Sequence, residues 1–448
     1  MKLYSFKGGV HPADRKELSA DKAIEPLPVP SQLDVLMSQH IGAVCEPAVE
    51  KKQEVKAGDV IGESPAFVSA KIHAPLDGTV KDIALRSHPV LGRVKAVVID
   101  VAQGRQPLEP LEFSGDFDLD GVSGEQIIES IADAGIVGMG GAGFPASVKV
   151  TPNPKLPKHT LIVNACECEP YITCDYRLML EHTPKLITGI MLLKKASGAQ
   201  RAYIGLEANK PEAAKMITEY LDKKGLSEQI KLVMLETMYP QGGERQLINA
   251  VLGKPIKPGV IPPMEGLLVS NVATACAVTE AVVAKKPLTH RVVTVSGGGI
   301  NSPANLYVPV GTQVSEIIEH CGGLKPETEK LILGGPMMGF SIAELNTPII
   351  KTTGSVLALT KKETHGARSL HETNCLKCGR CLDVCPEGLN PTRIATAVKN
   401  GKLELAKDYY ISACMECGSC SYVCPAKFEV SGYIKTGKAL LSKMAKKG

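Results

Sequence analysis

Eight of the fourteen cysteines form two copies of one spacing near the C-terminus. The copies consist of Cys375, Cys378, Cys381 and Cys385 before Pro386, and of Cys414, Cys417, Cys420 and Cys424 before Pro425. Each copy is C-x-x-C-x-x-C-x-x-x-C-P, in which three thiolates bind one [4Fe-4S] cluster and the fourth binds the neighbouring cluster. This interleaving assigns Cys375, Cys378, Cys381 and Cys424 to one cluster, and Cys414, Cys417, Cys420 and Cys385 to the other. A pair of zinc sites is the alternative, but the duplicated third cysteine and the proline favour clusters that carry single electrons.

A glycine-rich segment, GMGGAGFP at 138–145, contains the pattern G-x-G-x-x-G. A dinucleotide fingerprint follows a strand and opens a helix, whereas residues 126–134 before this segment have helical spacing, so an ordinary Rossmann fingerprint is disfavoured. Glycines still let backbone N–H groups approach an anion closely, and Lys149 in the helix or turn predicted to follow would complete a phosphate site. A tight turn without a ligand is the alternative.

Polar residues follow the next buried strand, in NACECEPY at 164–171. In open α/β sheets, ligands bind beyond the carboxyl ends of the strands, so Asn164, Glu167 and Glu169 are candidates for contacts to a heterocycle or a ribose. The three cysteines Cys166, Cys168 and Cys174 form either a further metal site or a set of buried thiols, and the buried thiols are favoured because small buried cysteines are common.

The composition argues against several classes of protein. The net charge is only +4, aromatic residues make up 4% and there is no Trp, which argues against nucleic-acid binding. Eight ligand thiols indicate a reducing cytosol. The start, MKLYSFKGGVHP, lacks the apolar core of a signal peptide, and the longest apolar stretch, 267–284, is interrupted by polar residues, so it is a poor bilayer span. We therefore expect membrane contact only through partner proteins.

The helices and strands that must position these groups are predicted to form a multi-domain α/β protein. Residues 1–30 are expected to form an extended arm, and 31–105 a β-rich block whose glycine-punctuated phrases resemble a biotinyl/lipoyl-type barrel-sandwich hybrid domain. That family carries its cofactor on a lysine where this chain has Phe67, so a structural or docking domain is expected rather than a carrier.

Three further domains are predicted downstream. Residues 117–287 alternate helices with short buried strands at 161–163, 202–206, 231–235 and 267–269, which indicates a parallel, Rossmann-like doubly wound sheet. Residues 288–346 have the element order of a β-grasp (soluble ligand-binding) domain. Residues 360–448 are predicted to be helical and to hold the two clusters.

The glycine-rich segment and the strand after it resemble the flavin-binding subunit of respiratory NADH dehydrogenases, which has GRGGAGFP and then NADESEP. The match continues at YPQGGE (239–244) and SNVAT (270–274). The resemblance implies that Tyr239 belongs to the cofactor site, and that FMN is bound non-covalently by Gly138, Gly140, Gly141, Gly143, Lys149, Asn164, Asn271 and Thr274. It places NAD(H) at Phe144, Glu169, Glu244 and Lys257, with hydride passing between nicotinamide and flavin near Phe144 and Glu169. The departures are Met139 for an arginine, Cys166 for an aspartate, Gly243 for a glutamate and Val260 for an aromatic residue.

The whole arrangement, with ECEPYI at 167–172 and GGPMMG at 334–339, resembles the C subunits of Rnf electron-transport complexes. This resemblance implies a peripheral protein on the cytoplasmic face of the cell membrane. It would pass electrons between NAD and a ferredoxin-like iron-sulfur partner, within a complex that translocates Na⁺ or H⁺. The alternatives are a cobalamin reductase of bacterial microcompartments, which lacks the barrel-sandwich block, and a non-catalytic iron-sulfur relay protein without flavin.

Overall fold

The computed structural model describes residues 2–365 and 372–445. Its strands are β1 (Ile24–Pro26), β2 (Gln32–Leu36), β3 (Glu46–Pro47), β4 (Glu54–Val55), β5 (Val60–Glu63), β6 (Ile72–His73), β7 (Gly78–His88), β8 (Gly92–Val101), β9 (Thr160–Ala165), β10 (Arg201–Glu207), β11 (Ile230–Leu235), β12 (Leu267–Asn271), β13 (His290–Ser296), β14 (Ala304–Pro309), β15 (Thr328–Leu333), β16 (Phe340–Ile342) and β17 (Ser355–Thr360). Its α-helices are α1 (Gly124–Asp133), α2 (Ala146–Val150), α3 (Cys174–Glu181), α4 (Thr183–Ser197), α5 (Pro211–Lys223), α6 (Glu244–Leu252), α7 (Val272–Ala284), α8 (Val314–His320), α9 (Lys361–His365), α10 (Arg380–Asp383), α11 (Pro391–Lys399), α12 (Leu403–Asp408), α13 (Ser419–Tyr422) and α14 (Val430–Ala445).

The N-terminal β-rich block contains two small antiparallel sheets, ordered β2-β8-β7-β4 and β3-β5-β6. The inward side chains of both sheets share one apolar core that includes Leu33, Ile61, Ile72 and Val97. Phe67, at the position where a carrier domain has its lysine, is 77% exposed. A side chain at this point faces solvent but offers no nucleophile for acylation.

The predicted Rossmann-like block contains a fully parallel sheet in the order β11-β10-β9-β12. Its strands are short apolar runs because helices cover them, as expected for a parallel sheet. Local signals also fix the helices: Ser123 and Gln126 form a capping box at the start of α1, and α4 ends at Gly198 in the left-handed conformation. The parallel arrangement predicted from the sequence is therefore confirmed.

A six-stranded mixed sheet follows, ordered β1-β14-β13-β17-β15-β16. Strand β17 lies beyond residue 346, where the β-grasp domain was expected to end, and β1 comes from the N-terminal arm and pairs in parallel with β14. The expected boundary at 346 therefore falls inside this sheet. No local pattern marks either strand as a member, because both join it through long-range pairing.

The N-terminal arm contains one short 3₁₀ helix, Lys16–Leu18, and it joins the other domains. Tyr4 bridges β11, and Val10 exchanges backbone hydrogen bonds of 2.7 and 2.8 Å with Tyr239. Gly9 N donates to Val384 O at 2.9 Å in the C-terminal module. This module is helical (α10–α14) and is built around a core that includes Ile394, Ile411 and Ile434.

Candidate functional site

The predicted flavin site lies at the carboxyl edge of the parallel sheet. Asn164 at the end of β9 is in register with Asn271 at the end of β12. Asn271 Oδ1 caps α7 by accepting from Ala273 N (2.9 Å) and Thr274 N (3.3 Å), while its Nδ2 donates to Asp175 Oδ2 at 2.7 Å. Asn164 Nδ2 donates to Gly242 O at 2.8 Å. The two amide side chains therefore hold the N-terminal ends of α3 and α7, and the segment at Gly242, against this edge of the sheet.

The glycine-rich segment forms a narrow loop above this edge. Gly138 N donates to Phe144 O at 2.8 Å, Gly143 N donates to Gly138 O at 3.1 Å, and Met139 N donates to Thr274 Oγ1 at 2.9 Å. Gly140 and Gly141 are exposed at its tip. A Cβ on Gly140 would lie 3.4 Å from Asn271 Cβ, and Gly141 has φ +105°. An exposed backbone beside the N-terminus of α7 fits a bound phosphate, and the helices α1 and α2 flank the loop as predicted.

Lys149 and Glu244 lie together at the open side of this loop. Lys149 Nζ is 3.1 Å from Glu244 Oε1, and the two side chains are 31% and 42% exposed. Glu244 is the first residue of α6, whose N-cap is Gly243. The residue assigned to the flavin phosphate and a residue assigned to NAD(H) are thus neighbours, as one composite site requires.

Glu167 is placed differently from its predicted role as a cofactor contact. Its side chain is only 3% exposed. Its carboxylate accepts from Asp175 N at 2.6 Å and from Tyr176 N at 3.3 Å, at the start of α3. These are donors that a helix N-terminus leaves unpaired, so Glu167 caps α3 inside the protein. Burial raises the pKa of Glu167 to about 7, although Lys16, 3.9 Å away, opposes the shift.

Glu169 is also engaged by the protein. Its two carboxylate oxygens accept from Met337 N and Met338 N, each at 3.0 Å, in the loop after β15. Burial raises the pKa of Glu169 to about 7. The residue expected at the nicotinamide therefore joins the parallel-sheet domain to the mixed-sheet domain.

Tyr239 faces the cluster module rather than the glycine-rich loop. It is 1% exposed, and its hydroxyl donates to Cys417 O at 2.8 Å and lies 3.5 Å from Glu169 Oε1. Lys257 is exposed on the loop after α6, and among the described residues its side chain forms no hydrogen bond or ion pair with the other predicted site residues. Phe144 is partly buried in the loop.

Four cysteines from the two runs line one pocket: Cys385, Cys414, Cys417 and Cys420. This is the set that the interleaved assignment requires, and we call it the proximal set. Burial raises the pKa of Cys414 to about 11, with further contributions from the charges of Cys417 and Cys385. Four crowded thiols resist ionisation unless cations compensate them, and the irons of a cluster supply such cations.

The distal set contains Cys375, Cys378, Cys381 and Cys424. The first two are exposed, whereas Cys381 and Cys424 pack against the core of the module. Hydrogen bonds from Thr392 and from Lys377 N lower the pKa of Cys375, which favours the thiolate that binds iron. The more solvent-accessible of the two ligand sets is therefore the distal one.

The proximal set lies against the parallel-sheet domain. Glu387, two residues after Cys385, accepts from Arg245 Nη1 at 2.8 Å and from Gln246 Nε2 at 3.0 Å, both on α6. A Cβ on Gly243 would lie 2.8 Å from the Met415 side chain. The first turn of α6 therefore carries both Glu244, a residue of the predicted nucleotide site, and the two residues that contact Glu387 beside the proximal set. Sequence reasoning missed Glu387, Arg245 and Gln246, because nothing in their local pattern marks a contact across more than 140 residues.

The cysteines outside the two runs are buried, except for Cys168, which is partly exposed. Cys166 is buried with its Sγ 3.6 Å from Gly205 O, and burial raises the pKa of both Cys166 and Cys174. In residues 2–365 and 372–445, no three or more His, Cys, Asp or Glu side chains are grouped as ligands of a single metal ion. Nor does any helix in those residues have the length and apolar character needed to cross a membrane.

Four protein-family models match consecutive parts of the chain. They are described as the RnfC barrel sandwich hybrid domain (residues 4–103), the Nuo51 FMN-binding domain (131–280), the SLBB domain (292–341) and the 4Fe-4S dicluster domain (371–428). The chain therefore combines an FMN-binding domain with an iron-sulfur domain, and the expected relation to the flavin-binding protein of NADH dehydrogenases is confirmed.

Curated relatives match over nearly the whole chain. The C subunit of a proton-translocating ferredoxin:NAD⁺ oxidoreductase complex from Clostridium ljungdahlii is 41% identical over 91% of this chain and 87% of its own length. The C subunit of an ion-translocating oxidoreductase complex from Rhodobacter capsulatus is 38% identical over 90% and 77%, and that of a Na⁺-translocating complex from Acetobacterium woodii is 36% identical over 87% and 86%. A solved NAD⁺-reducing [NiFe]-hydrogenase is 22% identical over 65% of this chain and 54% of that chain, with a TM-score of 0.48. Because the three C subunits match this chain over nearly its whole length, the chain belongs to the RnfC family, the C subunits of ion-translocating oxidoreductase complexes.

Proposed function

We propose that this chain is the peripheral subunit, on the cytoplasmic face of a membrane complex, that passes electrons between NAD(H) and ferredoxin-side partners through FMN and two [4Fe-4S] clusters. The partner proteins would couple this transfer to Na⁺ or H⁺ translocation. The names of the relatives in Clostridium ljungdahlii and Acetobacterium woodii support both the NAD⁺ and the ferredoxin ends of the reaction. The barrel-sandwich match at 4–103 argues against the cobalamin reductase alternative.

One observation carries the proposal: the predicted flavin site and the proximal cysteines are adjacent. Tyr239, in the segment that leads into α6, donates to Cys417 O at 2.8 Å. The first turn of α6 carries both Glu244, which pairs with Lys149, and Arg245, which contacts Glu387 beside Cys385. A protein that converts hydride transfer into single-electron transfer needs such adjacency, because electrons must move from one centre to the next inside it.

FMN, when bound, supplies the carrier that exchanges a hydride with NADH and single electrons with iron-sulfur clusters. The chain's own residues supply binding and orientation. Backbone N–H groups at 140–142 and the Lys149 ammonium would hold the phosphate, and Asn164 and Asn271 would hold the segments beneath it. Hydride transfer itself requires no general acid or base, so no side chain needs to move a proton for that step.

The nucleotide contacts divide into two groups. Phe144 lies in the loop and Glu244 pairs with Lys149 just after it, and both would contact NAD(H) directly. Glu169, whose oxygens are occupied by Met337 N and Met338 N, would act by positioning the loop after β15 beside the site. The exposed distal set would exchange electrons with the iron-sulfur partner, since exposed ligands permit the closest approach.

The test is anaerobic purification with cluster reconstitution and added FMN, followed by optical spectroscopy. A bound flavin that NADH bleaches would support the proposal, together with iron and sulfide amounts for two cubane clusters. Protein that holds its clusters but no flavin after gentle anaerobic handling would contradict the proposal and leave the non-catalytic relay. Chelation-resistant zinc in place of iron would contradict the cluster assignment.

A further inference from the structure

Four segments, three of them distant from one another in sequence, meet behind the glycine-rich loop. They are 39–45 and 68–71 of the barrel-sandwich domain, 135–143 of the parallel-sheet domain, and 347–353, which connects β16 to β17. The barrel-sandwich domain has no acylation site at Phe67, so these contacts are where its role in this chain can be sought.

Lys351 lies at the centre of this junction. It is 1% exposed, and its Nζ donates to Lys71 O at 2.6 Å and to Gly135 O at 2.7 Å. Its backbone N donates to Gln39 Oε1 at 3.0 Å. Among the described residues no carboxylate pairs with it, and burial lowers the pKa of Lys351 to about 7. Lys351 thus bridges two domains through backbone carbonyls rather than through an ion pair.

The positions of these two carbonyls determine where the glycine-rich loop begins. Gly135 directly precedes the strand-like stem in which Val137 bridges Pro145. The junction is tight here, since a Cβ on Gly135 would lie 2.1 Å from Lys71 O. A displacement at Gly135 therefore moves the start of the loop.

The other end of the loop is held by the same two neighbours. Ile41 N of the barrel-sandwich domain donates to Gly143 O at 3.0 Å. Gly143 has φ +67°, and a Cβ there would lie 2.8 Å from Thr352 Cγ2. Thr352 is the residue after Lys351, so one connector and one domain hold the loop at both ends.

We propose that Lys351 is a positioning residue for the FMN-binding loop, and that the barrel-sandwich domain serves flavin binding through this clamp. Without the Lys351 amino group, the carbonyls of Lys71 and Gly135 lose their donor and the stem at Gly135 is released. The backbone N–H groups at 140–142 then lose the fixed geometry that anion binding requires. The inference rests on the proposed function, in which this loop binds FMN.

The first test compares FMN affinity, measured by quenching of flavin fluorescence, in the wild-type protein and Lys351→Met. We expect the Kd for FMN to rise about tenfold or more, since one lost buried hydrogen bond corresponds to roughly that factor. The control is Lys81→Met, an exposed barrel lysine paired with Asp100, which should bind FMN like wild type. At saturating FMN the KM for NADH and the cluster absorption of Lys351→Met should equal those of wild type, which general damage would not allow. Equal FMN affinity in Lys351→Met and wild type would overturn the inference.

A second test does not require Lys351→Met to fold. Gly143→Ala should weaken FMN binding, because its new Cβ meets Thr352 Cγ2, and adding Thr352→Ser should restore part of the affinity by removing that methyl group. Unchanged affinity in Gly143→Ala, or no recovery in the double variant, would contradict the clamp. If the wild-type protein itself bound no FMN, the proposed function would fail first, so the two failures are distinguishable.

Discussion

Replacing Tyr239 by Phe should loosen the contact between the flavin domain and the proximal cysteines. The ring is 1% exposed and packs with Val10 and Cys417 in one apolar cluster, and Phe retains this packing. Only the hydroxyl is lost, and with it the 2.8 Å hydrogen bond to Cys417 O and the longer 3.5 Å contact with Glu169 Oε1. Burial raises the pKa of Tyr239 far above its ordinary value, so the hydroxyl is a donor at every accessible pH.

The size of the effect follows from the carbonyl left behind. A buried acceptor without its partner costs about 1–3 kcal/mol, which corresponds to about a 5- to 150-fold increase in the local opening equilibrium. Hydrogen exchange of the 414–424 segment reports this opening, and exchange there should accelerate by the same factor. The matched control is Tyr410→Phe, whose side chain is 69% exposed and whose exchange should match wild type. Unchanged exchange at 414–424 in Tyr239→Phe would refute the view that this hydrogen bond couples the two sites.

Two further predictions concern the open side of the site and the buried carboxylate. Lys149→Met should raise the Kd for FMN about tenfold, because a charged contact to the phosphate is lost. Glu244→Gln should leave FMN affinity intact or improve it, and should raise the KM for NADH. If each variant affected both ligands equally, the proposed division of roles would be contradicted. Because the pKa of Glu169 is raised to about 7, the folded protein binds more protons than the unfolded chain between pH about 4.5 and 7, so stability from this group is lost as pH rises through that window. Amide exchange at Met337 and Met338 should therefore accelerate from pH 5 to 7 by more than the intrinsic pH dependence of exchange. In Glu169→Gln this additional acceleration should disappear. The same additional acceleration in both proteins would show that another group titrates.

Local patterns predicted the parts of the fold whose causes are local. The four parallel strands follow from short apolar runs between helices, and the loop at 138–145 follows from its glycines between α1 and α2. The interleaved spacing of the cysteines also predicted that Cys385 joins the second run, which the shared cavity supports. The strands and the loop follow from residues that are close in sequence, and the cysteine assignment follows from the repetition of one spacing.

The features that sequence reasoning missed depend on contacts between distant residues. Glu167 follows the strand end just as a ligand contact would, but the fold turns α3 back onto it and makes it a helix cap. Tyr239 lies in the flavin-type motif, yet its hydroxyl contacts Cys417, 178 residues away. Lys351 belongs to no motif, and its burial depends on three domains meeting.

The central claim is that electrons pass between the flavin site and the proximal set before they reach the distal set. Two matched variants test it: Cys385→Ser disrupts a proximal ligand and Cys424→Ser a distal one. After rapid mixing with NADH and freezing, EPR should show prompt reduction of the remaining proximal cluster in Cys424→Ser. In Cys385→Ser, flavin bleaching should persist while reduction of the distal cluster slows severely. Prompt distal reduction in Cys385→Ser, with a silent proximal cluster in Cys424→Ser, would contradict the account.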